Sequence, residues 1–355
     1  MTGINTLLKD SLDIFLCPKC GGELEEESSA LKCAACGEPF EVADGIPLLF
    51  WPNDKGAVRG DVTEIVKGFY EETPFPNYDD FDSVASLAEK ARQGMFARLL
   101  DEQVPPATRI LEVGCGTGQM SNFLSIANRN VFASDICLNS LRLGRAFAKD
   151  QQLGRVAFVQ MNLFKPVFKP GSFHLVVSNG VLHHTSDPKL AFETIARLVK
   201  PGGYLLVGLY HRYGRLVTDL RRAIFRLSGD RFKALDPNLR REGTSAAKKR
   251  AWFADQYKHP HESKHTMGET LEWLREIGFD FVKMIPTSKP FQDFSETEQL
   301  FTPEEPGNAF ERLLVELGMT FRGSREGGFF IAIGRRPSGG APGSEALGGS
   351  EDRVD

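Results

Sequence analysis

After residue 105 the chain alternates short apolar runs with stretches of helical periodicity. The runs "RILEV", "NVFASDI", "VAFVQMNLF", "FHLVVSN" and "GYLLVGLY" predict five successive strands, and "FVKMIP" and "GFFIAIG" predict a sixth and a seventh. Between the fourth and fifth lies a helix with Asp187 at its N-cap, Pro188 in its first turn and a Pro-Gly-Gly turn behind it. Thr266 and Glu269 form an S/T-x-x-E capping box that starts another. Leu216, Leu220, Ile224 and Leu227 recur at helical spacing with arginines between them, which predicts an amphipathic basic helix. Alternation of this kind predicts an α/β fold built on a Rossmann-like sheet.

The 355 residues accommodate a small module ahead of a catalytic-sized domain. The boundaries expected are 1–55 for the module, 56–104 for a helical linker or roof, 105–337 for the α/β domain with insertions 211–266 and 286–327, and 338–355 for a disordered Gly/Ser/acid-rich tail. Apolar residues at 41% and charged residues at 25% are ordinary for a globular chain, and no window reaches the roughly 18 unbroken apolar residues of a membrane span. The opening "MTGINTLLKDSLDIF" carries acids within its apolar stretch and no small-residue cleavage site, so it does not read as a signal peptide. The expected location is the cytoplasm, where thiols stay reduced.

That bears on the cysteines, four of which (Cys17, Cys20, Cys33, Cys36) read C-x2-C-x12-C-x2-C. Each pair is followed by a glycine, Gly21 or Gly37, which permits the positive φ of a metal-binding knuckle. Four thiolates close a tetrahedral zinc shell with no place for water, the structural type. Two disulfides are the alternative, and a reduced compartment disfavours them. "CPKCGGEL…LKC…FEVADGIPLLF", over roughly residues 13–51, resembles the zinc-ribbon family of small activator subunits of tRNA and rRNA methyltransferases. In that family the ribbon is a scaffold and performs no chemistry.

The first strand runs into "EVGCGTGQ", in which Glu112 precedes Gly114, Gly116 and Gly118 and a helix follows. A strand, glycine loop and helix start form an adenosine-cofactor site in open α/β sheets. The dinucleotide pattern G-x-G-x-x-G fails because position 119 is Gln. S-adenosylmethionine (SAM) has no pyrophosphate; its carboxylate suits a helix N-terminus and its ammonium suits carbonyls and acids. Asp135 ends the second strand, 21 residues after Gly114, where an acid accepts hydrogen bonds from ribose hydroxyls. Asn162 stands at the tip of the third strand, in reach of the adenine amino group.

These five units, over roughly residues 105–285 and again at 328–335, resemble the class I SAM-dependent methyltransferases, and "LHH" after the fourth strand resembles the branch that includes quinone-biosynthesis and natural-product methyltransferases. The resemblance implies a seven-stranded sheet and cofactor contacts from Glu112, Gly114, Gly116, Gly118, Asp135, Ile136, Asn162, Leu163 and Asn179. The family usually has Asp where Asn162 stands. It also implies a general base in the histidine pair, His184 favoured over His183; the alternative is that one histidine packs beside the helix that starts at Asp187.

Both insertions leave the carboxyl edge of the sheet, so both are expected to roof the substrate pocket, joined by the linker aromatics Phe69, Tyr70, Phe75 and Tyr78, which either line it or pack. Residues 211–250 carry nine arginines and three lysines against four acids, in a chain of net charge −4. A solvated lid face, contact with an anionic or membrane-associated acceptor, and an RNA surface compete for this segment. Downstream, His265 or Asp255 is a candidate to line the site, His259, His261 and His265 spell a weak metal pattern, and a plain surface loop is the alternative.

The leading expectation is methyl transfer from SAM to a small-molecule or lipid-like acceptor beside a structural zinc ribbon. The alternative is an RNA methyltransferase, although the fourth-strand exit "SNGVLHH" lacks the Asn/Asp-Pro-Pro-aromatic motif of base-amine methylation and no Pro-Cys pair offers a cytosine C5 nucleophile. A non-enzymatic SAM-binding scaffold is the third.

Overall fold

In a computed structural model of the chain, residues 4–27, 30–74, 78, 83–243, 245–326 and 328–339 are described; Phe75 and residues 340–355 of the expected tail lie outside them. Four short strands, β1 (Leu24–Glu27), β2 (Ala30–Cys33), β3 (Pro39–Ala43) and β4 (Ile46–Pro47), form an antiparallel ribbon in chain order. The main sheet comprises β5 (Arg109–Val113), β6 (Asn130–Asp135), β7 (Val156–Gln160), β8 (Phe173–Asn179), β9 (Val199–Tyr210), β10 (Asp280–Ile285) and β11 (Phe329–Arg335). Its order is β10-β11-β9-β8-β5-β6-β7; β5 to β9 are mutually parallel and β11 is antiparallel to both neighbours. The strand order reverses between β5 and β8, which opens a crevice at their carboxyl ends.

The strands read as near-continuous apolar runs because both faces are covered. Ile110, Val131, Phe158 and Val177 point to one core, and Leu111, Phe132, Val159 and Val176 to the other. The second core also contains the ribbon's Phe15, Leu24, Leu31, Phe40 and Leu49, so the ribbon is a layer of the domain rather than a bead on a linker. Its exit strand continues the sheet: Leu48 pairs in parallel with Gln160, and the Leu49 amide donates to the Gln160 carbonyl at 3.0 Å. The edge that β7 would otherwise expose is thereby covered.

Asp187 accepts from the Leu190 amide with Pro188 in the first turn, and the Thr266–Glu269 box closes in both directions. Linker helices Thr63–Glu72, Val84–Gln93 and Met95–Gln103 lie between ribbon and sheet in the chain. The first insertion holds helix Leu216–Ser228 and helix Ala246–Phe253, which widens into a π turn over Ala254–Lys258. The second was expected to join the roof and does not. Its helix Ala309–Glu326 packs on helices Met267–Glu276 and Leu216–Ser228, and Phe301 meets Tyr204 edge-on with ring centroids 4.8 Å apart. It leaves the right edge of the sheet, but from β10, the strand farthest on that side from the β5/β8 crevice.

Phe15 joins ribbon to sheet, fully buried with ring centroids 4.7 Å from Phe168 and 6.1 Å from Phe132. Phe15→Ala is expected to cost about 3–5 kcal/mol in denaturant unfolding, with ribbon and sheet lost in one transition. An earlier, separate ribbon transition would show that the two layers fold independently.

Candidate functional site

The carboxyl ends of β5 to β9 open into one cavity of about 710 Å³. The glycine loop forms its floor. Gly114 has φ +74°, and a Cβ there would lie 2.4 Å from Val181, so the loop is pressed against the β8 exit with room for glycine alone. Gly118, at φ +70° and backed by Phe158, turns the chain into helix Gln119–Ile126; contrary to expectation it does not line the cavity, because its free side faces Phe158. Asp135 knits β5 to β6: one carboxylate oxygen accepts from the Gly116 amide at 2.7 Å and the other from the Cys137 amide at 2.8 Å. Glu112 is buried and accepts from the Ser121 hydroxyl.

Burial lifts both carboxyls, Glu112 to about 7 and Asp135 to about 6, and the Asp135 charge adds to the rise at Glu112. The hydrogen bonds they receive come from a hydroxyl and from amides. Such a pair fits a ligand that brings its own positive charge.

Ile136, Asn162, Leu163 and Asn179 line the cavity with them. The Asn162 side-chain nitrogen donates to the Trp51 carbonyl (2.9 Å) and to Asn53 Oδ1 (2.8 Å), while its oxygen accepts from the Phe164 amide (3.1 Å). The strand-tip amide is thus engaged with the ribbon's exit segment, a role its place in the sequence does not announce.

The far half of the cavity is roofed by the linker and the first insertion. Val62, Val66, Leu87, Ala91, Phe96 and Ala97 supply apolar wall. Tyr70 donates to Asp255 Oδ1 at 3.0 Å, and Gln256 Nε2 donates to Asp255 Oδ2 (2.8 Å) and to the Tyr210 hydroxyl (2.9 Å). Arg215, fully buried, donates to Gln256 Oε1 at 2.6 Å, pairs with Glu262 at 2.8 Å and lies 3.8 Å from the Tyr210 ring centroid. Burial raises Asp255 above the ordinary carboxylate range. Sequence reasoning left Tyr70 between lining and packing and did not see its link to Asp255, since 185 residues separate them. Of the other linker aromatics, Phe69 packs on Tyr70 and His259, and Tyr78 donates to the Thr117 carbonyl in the glycine loop.

Of the three candidate catalytic histidines, His184 alone lines the cavity. Its Nδ1 lies 3.0 Å from the His261 carbonyl, which can only accept, so Nδ1 carries the proton and Nε2 keeps its lone pair. Burial lowers it to about 4, and it stacks on His259 with centroids 3.7 Å apart. His183 is enclosed beneath Tyr210, where Nδ1 accepts from the Tyr210 amide at 3.3 Å. His265 is held away from the cavity by Ser263 (2.8 Å) and Trp273 (5.0 Å).

The cysteines stand apart from this cavity. Cys17, Cys20, Cys33 and Cys36 bring their sulfurs within 4.8 Å of one another, the only such group of three or more potential ligands among the described residues; the weak His259–His261–His265 pattern forms no such group. The Cys17–Cys36 and Cys20–Cys33 separations, 3.9 and 3.4 Å, bracket the roughly 3.8 Å edge of a thiolate tetrahedron with 2.3 Å zinc bonds. All four are free thiols, Gly21 and Gly37 take the expected φ of +77° and +70°, and the Cys36 amide points at Cys33 Sγ. The donor set fits zinc.

Residues 111–207 match the family model described as a methyltransferase domain. An uncharacterised protein of Synechococcus is 30% identical over 198 residues, covering 49% of this chain and 48% of that one. A demethylmenaquinone methyltransferase of Renibacterium salmoninarum is 31% identical over 134 residues, covering 37% of this chain and 53% of its own. The chain thus spans about half the length of these curated relatives. Among solved structures, the magnesium protoporphyrin IX methyltransferase of Synechocystis superposes with a TM-score of 0.45 at 16% identity, over 77% of this chain and 99% of that one. Among the described residues no helix is long and apolar enough to cross a membrane. Residues 111–207 thus match a methyltransferase domain, and they run from strand β5 into strand β9 of the seven-stranded sheet.

Proposed function

We propose that the chain transfers a methyl group from SAM to a small, largely apolar acceptor bearing an ionisable hydroxyl. One observation carries this reading: a single cavity joins the glycine loop and its two buried carboxyls to a largely apolar chamber whose polar groups include His184, Tyr70, Asp255 and Gln256. The relative named for a demethylmenaquinone acceptor supports the small, largely apolar character of the acceptor.

When bound, SAM supplies an electrophilic methyl group on a positively charged sulfur. Glu112 would hold its ammonium end, Asp135 the ribose hydroxyls, and Ile136, Leu163 and Asn162 would line the adenine. The sheet edge and roof align the acceptor oxygen and exclude water, a contribution of about 7–11 kcal/mol where alignment is complete. His184 Nε2 takes the hydroxyl proton as the new oxygen–carbon bond forms and the sulfur–carbon bond breaks. The Asp255–Gln256–Tyr210 array, anchored by Arg215, positions the acceptor's polar end. The ribbon's cysteines hold zinc and brace the β7 edge without entering the reaction.

A cationic ligand binds the deprotonated carboxyls, so it lowers both pKa values and releases protons. SAM affinity is therefore expected to fall about tenfold between pH 8 and pH 6, as Glu112 and then Asp135 protonate, with Glu112→Gln removing the upper part of the dependence. Calorimetry in buffers of different ionisation enthalpy reads this directly; a flat profile with no proton release would refute it. His184→Ala is expected to lower turnover by about 10²–10⁴ while SAM affinity stays within experimental error. Equal losses in both would remove the base role. Cys17→Ser and Cys33→Ser should abolish zinc retention and lower the melting temperature. If they left folding intact and removed transfer alone, the bracing role would be wrong.

A further inference from the structure

Helix Leu216–Ser228 is mounted inside out. Its charged side faces the protein: Asp219 takes Lys264 at 2.6 Å, Arg222 donates to Glu262 and to the Gln256 carbonyl, each at 2.7 Å, and Arg215 at its start is buried. Leu216, Leu220 and Leu227 face out, 48%, 63% and 88% exposed, with exposed Ala223 between them. At about 100° per residue these positions fall within roughly 60° of helix surface. Phe232 and Leu235 continue the apolar surface beyond the helix.

Helix Ala309–Glu326 packs beside it and repeats the arrangement. Glu316 and Met319 turn inward, while Phe310, Leu313, Leu314 and Leu317 are all more than 40% exposed. Both helices come from insertions, so the sheet does not need either row.

The exposed charge of 211–250 is mostly basic, with Glu242 the one exposed acid. Arg226, Arg231, Lys233, Arg240, Arg241 and Arg250 are exposed. Three of the four acids in 211–250 are turned elsewhere: Asp219 to Lys264, Asp230 to Lys258, and Asp236 to Trp252 and Tyr257. Leucine rows ringed by arginine suit the boundary between lipid headgroup and acyl chain. The exposed leucines outnumber Phe232 and Phe310, which favours lipid over the aromatic platforms that bind RNA, and a second copy of the same face would bring like charges together.

We infer that this two-helix face docks the protein on an anionic lipid bilayer. Phe225, on the inner side of the docked helix, packs with Phe253 and Tyr257 of the cavity roof, at 5.6 and 4.7 Å between centroids. The docked helix therefore lies between the bilayer and the segment that carries Trp252, Asp255 and Gln256. Docking is independent of the transfer reading, because lipid binding is read without catalysis.

The test is flotation of the full chain with vesicles of phosphatidylcholine alone or mixed with phosphatidylglycerol, at low and high salt. The protein should rise with the anionic vesicles only and be released by salt. The double variant Leu220→Glu/Leu227→Glu should bind at least about tenfold less, with SAM affinity and circular dichroism unchanged. Arg226→Glu/Arg231→Glu should weaken binding and flatten its salt dependence. No flotation of the parent chain, undiminished flotation of the leucine variant, capture of an RNA oligonucleotide in place of vesicles, or a vesicle-free dimer that the leucine changes dissolve would each overturn the inference.

Discussion

The site depends on one carboxylate that holds two loops at once. Asp135 accepts the Gly116 amide with one oxygen and the Cys137 amide with the other, so the turns after β5 and β6 cannot move separately. The glycine loop is then pinned on its remaining sides, Gly114 against Val181 and Gly118 against Phe158. The price is a charge buried beside Glu112, which lifts both groups toward neutrality. This arrangement is poor for stability and good for a cationic ligand, because the ligand's charge relieves what the fold leaves uncompensated.

The same economy explains the ribbon. An edge strand such as β7 invites pairing, and Leu48–Leu49 satisfies it within the chain. Once that exit segment lies beside the strand tip, an acid at position 162 would face the Trp51 carbonyl and Asn53 Oδ1 with no proton to offer. An amide donates to both and still accepts from Phe164. The departure from the family's usual Asp therefore has a local cause. It follows from fusing the ribbon to the domain, and it ties the cavity wall to the cysteine ribbon.

Much of this was legible in the residues. Alternation located all seven strands, since burial on both faces leaves apolar runs that helices cannot imitate at that length. The glycine loop, Asp135 and the cysteine knuckles were legible because their chemistry is local in sequence. Pairings across long separations were not: nothing in "GFYEE" announces that Tyr70 meets Asp255, or that the Glu71 carboxylate caps the helix at Leu138 and Asn139. Periodicity also has no sign. The spacing of Leu216, Leu220 and Leu227 identifies a helix and a stripe, but the choice of inward face was made by Glu262 and Lys264, which claim its charges.

The division between legible and illegible parts follows the division of labour in the cavity. The cavity-lining residues of the strand ends from Glu112 to Asn179 lie inside 111–207, the span that matches the family model. Tyr70, Trp252, Asp255 and Gln256 all lie outside it, on a linker helix and an insertion. Likeness over that span therefore speaks for the donor half and is silent on the acceptor half. A relative sharing 111–207 alone would inherit the glycine loop, Asp135 and His184, yet would present a different chamber to its substrate. On the proposed reaction, selectivity therefore rests on Val66, Tyr70, Leu87, Phe96, Trp252, Asp255 and Gln256, and it is there, rather than in the matched domain, that substitutions should change which molecule is accepted while leaving SAM binding in place.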